Sequence, residues 1–440
     1  MYKISRSIIF LLTFFIIVGI LIDTSLIKIS VFTGGLDPSF SGILSFICLT
    51  LVFVVGQFLI LIFMKQSIRL HRSTEKIWTH NVVFLIEIIV IAMFITIITQ
   101  MILRSHYSSV VFKLIIDVNY GMAIILFALM AKKFFTWYRN KRNLILVFYG
   151  ITVSVICLNF ICTLSYVMNS LTGQRGLDYI VPIRGLISIV VGANNVYSNL
   201  FFITSVASFF LIWSCTIMLL HNYTTKIGIT RFILLLSIPF VYFLGEFQPF
   251  LINLFDPIRT LDPIAFGVTY SLFFSAARPI GGILFGIVLW SIGKTSKSFE
   301  FGDFMTISAI GMMILVTANQ PSGLVLAPYP PFGLVTIAFL GLSSYLFFIG
   351  ISYSALSVAN RKELRLSIKK SLGSTSNLIH DIGAAHMEEN LQKIVKKVNN
   401  DLSEKIADET GLFVSLDENE INDMVREIIK EIKLSRNRKT

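Results

Sequence analysis

Long apolar stretches, interrupted by short polar loops, repeat from the N-terminus to about residue 360. They occupy residues 8–27, 39–64, 77–103, 110–131, 144–168, 196–220, 232–255, 264–292, 304–326 and 334–359. At about 1.5 Å per residue, helices of that length cross a hydrocarbon layer of about 30 Å. Runs such as 86–91 and 233–238 do not alternate apolar with polar residues, as the strands of a membrane barrel would. The pattern predicts an all-α fold: a polytopic transmembrane helix bundle of about ten spans, with residues 1–359 as one domain.

A different pattern begins after Ala359. Met387, Leu391, Ile394, Val398, Leu402 and Ile406 recur every three or four residues and predict an amphipathic helix. Ser415-Leu416-Asp417-Glu418 has the form of a capping box, and Ile421, Met424, Val425, Ile428, Ile429 and Ile432 mark a second apolar face behind it. Residues 360–440 read as a short cytoplasmic amphipathic helical tail. Its two apolar faces need burial against each other, in self-association, or on a cytoplasmic protein partner.

Charge orients the bundle. Lys3, Arg6, Lys65, Arg69, Arg72, Lys76, Lys132, Lys133, Arg139, Lys141, Arg142, Lys226, Arg231, Lys294 and Lys297 fall on one side. The opposite loops hold only Lys28, Arg104, Arg175, Arg184 and Arg259. Cations stay on the inner face, so both termini are expected in the cytoplasm, in a multi-pass protein of the cell membrane. The net charge of +12 follows from these loops and points to the lipid bilayer as partner, not to nucleic acid. Asp23 interrupts the first stretch, and Lys3 and Arg6 ahead of it also suit a cleaved leader. No small-x-small site follows Ile22, which favours a retained helix.

Polar groups at membrane depth are the candidate chemistry, because a charge there costs at least about 2.5–3.5 kcal/mol. Glu87 lies near the middle of the third stretch, Glu246 lies in the seventh between Pro239 and Pro249, and Arg278 precedes Pro279 in the eighth. Glu246 and Arg278 are on consecutive antiparallel stretches at mid-depth. Their pairing would either fix helix packing or form a polar site for a small ligand or a proton. Asn319 and Gln320, followed by Pro321 and Gly323, predict an unwound rim around a cavity or a structural corner. The external segment 169–195 is long for a connection, and its apolar run 186–193 is too short to span. Gly282 and Gly286 form a G-x-x-x-G that permits close helix packing.

Composition removes several function classes. Only 14% of residues are charged and 55% are hydrophobic, far from the balance of a soluble domain. Cys48, Cys157, Cys162 and Cys215 all fall inside apolar stretches and read as small buried hydrophobes, not as disulfides or metal ligands. Walker, H-E-x-x-H and G-x-S-x-G motifs are absent, so no catalytic residue, metal or cofactor is expected.

Asn319-Gln320, residues 327–333, Gly341-Leu342-Ser343-Ser344-Tyr345, and Arg361-Lys362-Glu363-Leu364-Arg365 with Ser367-Ile368 carry a resemblance. Over its last third the chain resembles a family of multi-pass membrane proteins from ammonia-oxidising archaea. The resemblance implies an archaeal cell membrane and brings no activity or site residues with it. Two functional readings follow from the residues. One is a sensor or scaffold that couples the bundle to cytoplasmic partners through the tail. The other is a secondary transporter using Glu87, Glu246, Arg278, Asn319 and Gln320. Of eleven prolines only Pro38 precedes residue 182, so the halves lack matching broken helices, which favours the sensor.

Overall fold

The computed structural model describes residues 6–32, 40–69, 74–140, 142–173, 179–180, 196–220, 228–230, 232–233, 236–237, 277–295, 299–320, 324, 329–360 and 377–410. Ten long helices follow one another among the described residues. They are α1 (Arg6–Phe32), α2 (Phe40–Arg69), α3 (Thr74–Arg104), α4 (Ser109–Asn140) and α5 (Leu144–Gly173). Then come α6 (Val196–Leu220), α7 (Ala277–Thr295), α8 (Phe299–Ala318), α9 (Leu334–Asn360) and α10 (Asn377–Thr410). Seven of these are long and apolar enough to cross a membrane, as a multi-pass membrane protein requires. Most of the expected stretch 232–255, all of 256–276, the run 186–193 and the second tail helix lie outside the described residues.

Many hydroxyl side chains inside the apolar helices satisfy themselves, Ser308 and Ser357 being exceptions among the described residues. Thr50, Thr152, Thr317 and Ser344 each donate to the carbonyl one turn back, at 2.9, 2.8, 2.7 and 2.7 Å. That pattern removes the need for water at depth. The ninth predicted stretch stops at Ala318, short of residue 326. The Asn319 N–H still reaches Leu315, but the Gln320 N–H turns back to the Ala318 carbonyl at 2.8 Å, and Pro321 follows with no N–H to offer.

Helices α8 and α9 form the axis: 94% of each apolar window is buried, against 28% for α3. Their backbones nearly touch. A Cβ on Gly311 would stand 2.6 Å from the Phe347 nitrogen, and one on Gly350 2.6 Å from the Ser308 nitrogen. The predicted G-x-x-x-G works the same way for α7, with Gly282 and Gly286 against the Met313 and Ala309 carbonyls of α8. Helices α1, α2 and α3 pack along one flank of the axis, and α4 to α7 along the other. Aromatic rings fill the seams, with centroids 4.9 Å apart for Phe53 and Phe339, 5.8 Å for Phe127 and Phe347, and 4.6 Å for Phe304 and Tyr353. Leu85, Ile102, Ile125 and Leu144 point outward, where a lipid phase would cover them.

The two ends of the bundle differ. At one end the α3–α4 turn forms β1 (Tyr107–Ser108), antiparallel to β2 (Tyr179–Ile180), with Tyr107 opposite Ile180. Part of the long 169–195 segment is thereby tied over this end. Tyr107 is buried there and stacks on Tyr329 at 6.1 Å. At the other end α10 packs across α4, α5 and α9.

The tail does not dock through the stripe that its sequence advertises. Its contact is made by small residues: a Cβ on Gly383 would run into the Val358 side chain, and Ala385 is fully buried. The Ala385 carbonyl accepts from Asn140 Nδ2 at 3.4 Å, and the His386 ring stands edge-on to Trp137 at 6.2 Å. Ile394 and Val398, in the middle of the stripe, are 59% and 51% exposed.

Candidate functional site

Four helices bring neutral polar groups together inside the bundle, toward the end opposite α10. Asn159 lies in the middle of α5, Tyr120 in α4, Thr204 in α6, and Asn319 just past the end of α8. Asn319 Nδ2 donates to Asn159 Oδ1 at 2.9 Å, Asn159 Nδ2 donates to Thr204 Oγ1 at 3.2 Å, and the Tyr120 hydroxyl reaches Asn319 Oδ1 at 3.4 Å. Asn319 can bridge α4 and α5 because the helix has ended at Ala318, which frees its side chain to turn across the bundle. The rest of the segment expected to unwind, residues 321–323, lies outside the described residues.

A cavity of about 30 Å³ opens beside the chain of carboxamides, lined by Asn159, Ser205, Ser208, Ile212, Leu315 and Asn319 among others. That volume holds about two waters, and the walls supply the polar partners that waters need. Gln320 does not join. Its Nε2 folds back to the Thr317 carbonyl at 3.0 Å, so it seals the end of α8 and faces no cavity.

A second cavity, of about 80 Å³, lies nearer α10 between α4, α5, α6, α7, α8 and α9. Its walls are mostly apolar, with Tyr149, Thr152, Cys215, Thr216 and Ser354 as the polar exceptions. Ile156 and Ile212 line both cavities, so a single layer of isoleucine separates the wet chamber from the dry one. An empty volume of that size costs about 2 kcal/mol at ~24 cal/mol per Å³. A leucine at Ala355 would remove most of it.

Of the predicted charged residues, Glu87 is the one whose side chain is described. Glu87 of α3 is fully buried against Gln57 of α2, on the opposite flank of the axis, and lines neither chamber. Among the described residues neither oxygen of Glu87 nor either polar atom of Gln57 makes a well-formed hydrogen bond, although the Gln57 amide acts on the Glu87 carboxyl, and no open volume lies between them. Glu246 lies outside the described residues. Arg278 is placed in the first turn of α7, and its side chain is outside the description. Among the described residues no group of His, Cys, Asp or Glu gathers as a metal site.

The sequence reading of candidate sites missed two positions. Asn159 is neutral, yet a carboxamide in the middle of an apolar helix carries its own desolvation cost and signals a partner. Asp23 was visible only as an interruption of the first stretch. Its carboxylate accepts from the Gly333 N–H at 2.8 Å, the Thr336 N–H at 2.9 Å and the Thr336 hydroxyl at 2.7 Å.

Outside the membrane-spanning segments, the α10 contact is electrostatically tuned. His386 Nδ1 stands 3.4 Å and Lys393 Nζ 2.7 Å from the Glu389 carboxylate. The imidazole holds the Glu389 carboxyl down at about 2, with Lys393 adding to the effect against the burial that would raise it. Lys133 of α4 feels the same carboxylate, and its ammonium donates to Ser352 Oγ of α9 at 3.1 Å.

No protein-family model, curated protein or solved structure matches the chain.

Proposed function

We propose that the protein is an integral membrane sensor or scaffold that couples its bundle to cytoplasmic partners through the C-terminal tail. In this reading about ten spans cross the cell membrane, residues 360–440 are the cytoplasmic tail, and both termini lie inside. Location of α10 at the end carrying Lys132, Lys133 and Arg139 supports that orientation. The buried bonds from Asp23 to α9 support a retained first helix, since its removal would orphan two N–H groups.

One observation carries the reading. The helices that hold α10 also wall the 80 Å³ cavity: Phe134 lies one turn from Trp137, and Ser354 and Ala355 lie one turn from Val358. A shift of either helix end at the cavity moves the seat of the tail. Deleting residues 373–440 is expected to leave a folded bundle and abolish cross-linking of a cytoplasmic partner, or of a second copy. Cross-links that persist without the tail would refute the coupling.

The transporter reading rests on two adjacent chambers that share Ile156 and Ile212. It predicts that proteoliposomes accumulate a small solute and that Glu246→Gln abolishes uptake in a protein that still folds. Uptake unaffected by that change removes Glu246 from the mechanism.

A further inference from the structure

We propose that the cavity between α4, α5, α6, α7, α8 and α9 binds one small, uncharged, lipophilic molecule, an alcohol or hydrocarbon that arrives through the bilayer. This deepens the sensor reading, on which its output through α10 rests; the site itself does not depend on it.

Charge is the first constraint. Among the described residues, none of the lining side chains is ionisable in the acidic or basic sense of Asp, Glu, Lys, Arg or His. An ion in this place would lie at membrane depth without a counter-charge.

The hydrogen-bonding state of the walls narrows the class further. The Tyr149 hydroxyl donates to the Cys215 carbonyl at 3.2 Å, and Thr152 Oγ1 donates to Phe148 at 2.8 Å. Thr216 Oγ1 donates to Ile212 at 2.9 Å and Ser354 Oγ to Gly350 at 2.7 Å. Every hydroxyl proton on the described wall is committed to a backbone carbonyl, which leaves the Cys215 thiol to donate to Thr152 Oγ1 at 3.3 Å, and what remains toward the cavity is lone pairs. A carbonyl or carboxylate ligand would meet acceptors only. A hydrocarbon meets no conflict, and an alcohol O–H meets an acceptor.

Size sets the upper limit. A dry engineered cavity of about 150 Å³ takes benzene, so half of that volume takes roughly two to four carbons. The space is bounded by packed rings, with Phe134 and Tyr149 at 6.0 Å and Phe127 and Phe347 at 5.8 Å, so it is a hole in a firm wall. Ala355, Ser354 and Thr152 are the small residues that keep it open.

The test uses the full chain in lipid nanodiscs and a four-carbon aliphatic diazirine alcohol as photolabel, with adducts mapped by mass spectrometry. Adducts on Tyr149, Cys215 and Met312 are expected to exceed those on the outward-facing Ile151, Leu158 and Ile161 by about tenfold. Excess n-propanol should compete them away. Ala355→Leu should suppress them, and Thr152→Ile, which fills the space from the opposite wall, should do the same if the first variant does not fold. Adducts spread evenly over inward and outward positions would overturn the proposal, as would adducts that survive both substitutions. Labelling that emerges only once lipid is exchanged for a short-chain detergent would assign the cavity to an acyl chain and equally overturn it. Thiol labelling of Ala385→Cys with and without n-propanol reads the output separately. A constant rate there, with the site demonstrably occupied, leaves the site standing and removes the sensor reading.

Discussion

The carboxylate of Asp23 caps the first turn of α9 at Thr336, across 313 positions of chain: Oδ2 accepts both the Thr336 N–H and its hydroxyl, at 2.9 and 2.7 Å. The first turn of a helix leaves N–H groups without intrahelical partners, and at the end of α9 water is excluded because Asp23, Gly333 and Thr336 are all buried. Gly333 serves the geometry as well, holding φ at +87°, which a side chain would resist. Asp23→Ala is expected to destabilise the bundle by about 1–3 kcal/mol, the cost of buried donors left alone. Thr336→Val removes one bond of three and is expected to cost about 1 kcal/mol. Thermal unfolding in nanodiscs should rank the wild type highest, Thr336→Val next and Asp23→Ala lowest. Equal midpoints would remove the cap from the account of how α1 is held.

How much of this was legible beforehand depends on the kind of signal. Hydropathy located most of the described helices, because an apolar run of spanning length has few other ways to satisfy its backbone. The match is close at 196–220 but less so at 110–131, where α4 runs on to Asn140, and at 304–326, where α8 ends at Ala318. Gly282 and Gly286 announced a close contact and make one. Asn319 was singled out from its helix-ending neighbours and does reach across the bundle, whereas Gln320, its twin in sequence, folds back. Nothing local distinguishes the two; which one faces the interior is set by the angle at which α8 ends. Asp23 and Thr336 were invisible as a pair because long-range partners leave no periodicity. The tail misled for a related reason. Its apolar stripe was legible, but docking by Gly383 and Ala385 depends on the shape of the bundle end, which composition does not encode.

The Asn159–Asn319 bond offers a second measurement. Hydrogen bonds between membrane helices contribute less than their isolation from water suggests, because the unfolded chain also finds partners in lipid. Measured couplings average about 0.6 kcal/mol and reach about 1.7. A double-mutant cycle with Asn159→Ala and Asn319→Ala is expected to give a coupling of about 1 kcal/mol, since Tyr120 and Thr204 extend the same chain of bonds. Additive single effects would mean that the four groups do not act as a network.

Glu87 and Gln57 lead to the opposite expectation. Four buried polar atoms face one another between α2 and α3 without a well-formed hydrogen bond among the described residues, and the Gln57 amide is the polar group that acts on the Glu87 carboxyl, an arrangement that costs the bundle stability. Replacing both with apolar residues of similar volume, Glu87→Met with Gln57→Leu, is expected to leave the unfolding midpoint unchanged or to raise it. The single change Gln57→Leu should lower it. A double variant that is stable but has lost a partner or solute activity would assign Glu87 a functional role. A double variant that fails to fold would show instead that the two groups hold α2 to α3.

The seat of the tail should respond to acid in a defined window. Glu389 lies outside the membrane-spanning helices, and its carboxyl is held at about 2 by the His386 imidazole and the Lys393 ammonium, below the 4.5 of a free glutamate. A carboxyl depressed in the folded state stabilises it fully above its unfolded value. That contribution is lost as pH falls through the folded value. The docked state of α10 should therefore be constant from neutral pH down to about 4.5 and weaken between there and about 2. Trp137 reports on it directly, since it is 2% exposed and lies beneath His386. With Trp78, Trp213 and Trp290 replaced by phenylalanine, acrylamide quenching of Trp137 is expected to rise only across that acid window. Glu389→Gln should abolish the acid step, leaving quenching flat from neutral pH to the bottom of the range. Gly383→Leu, which drives a side chain into Val358, should raise quenching at every pH, because it unseats the helix by shape and leaves the ion pair itself untouched. An acid step that persists in Glu389→Gln would move the titrating group elsewhere and detach the charge cluster from the docking of the tail.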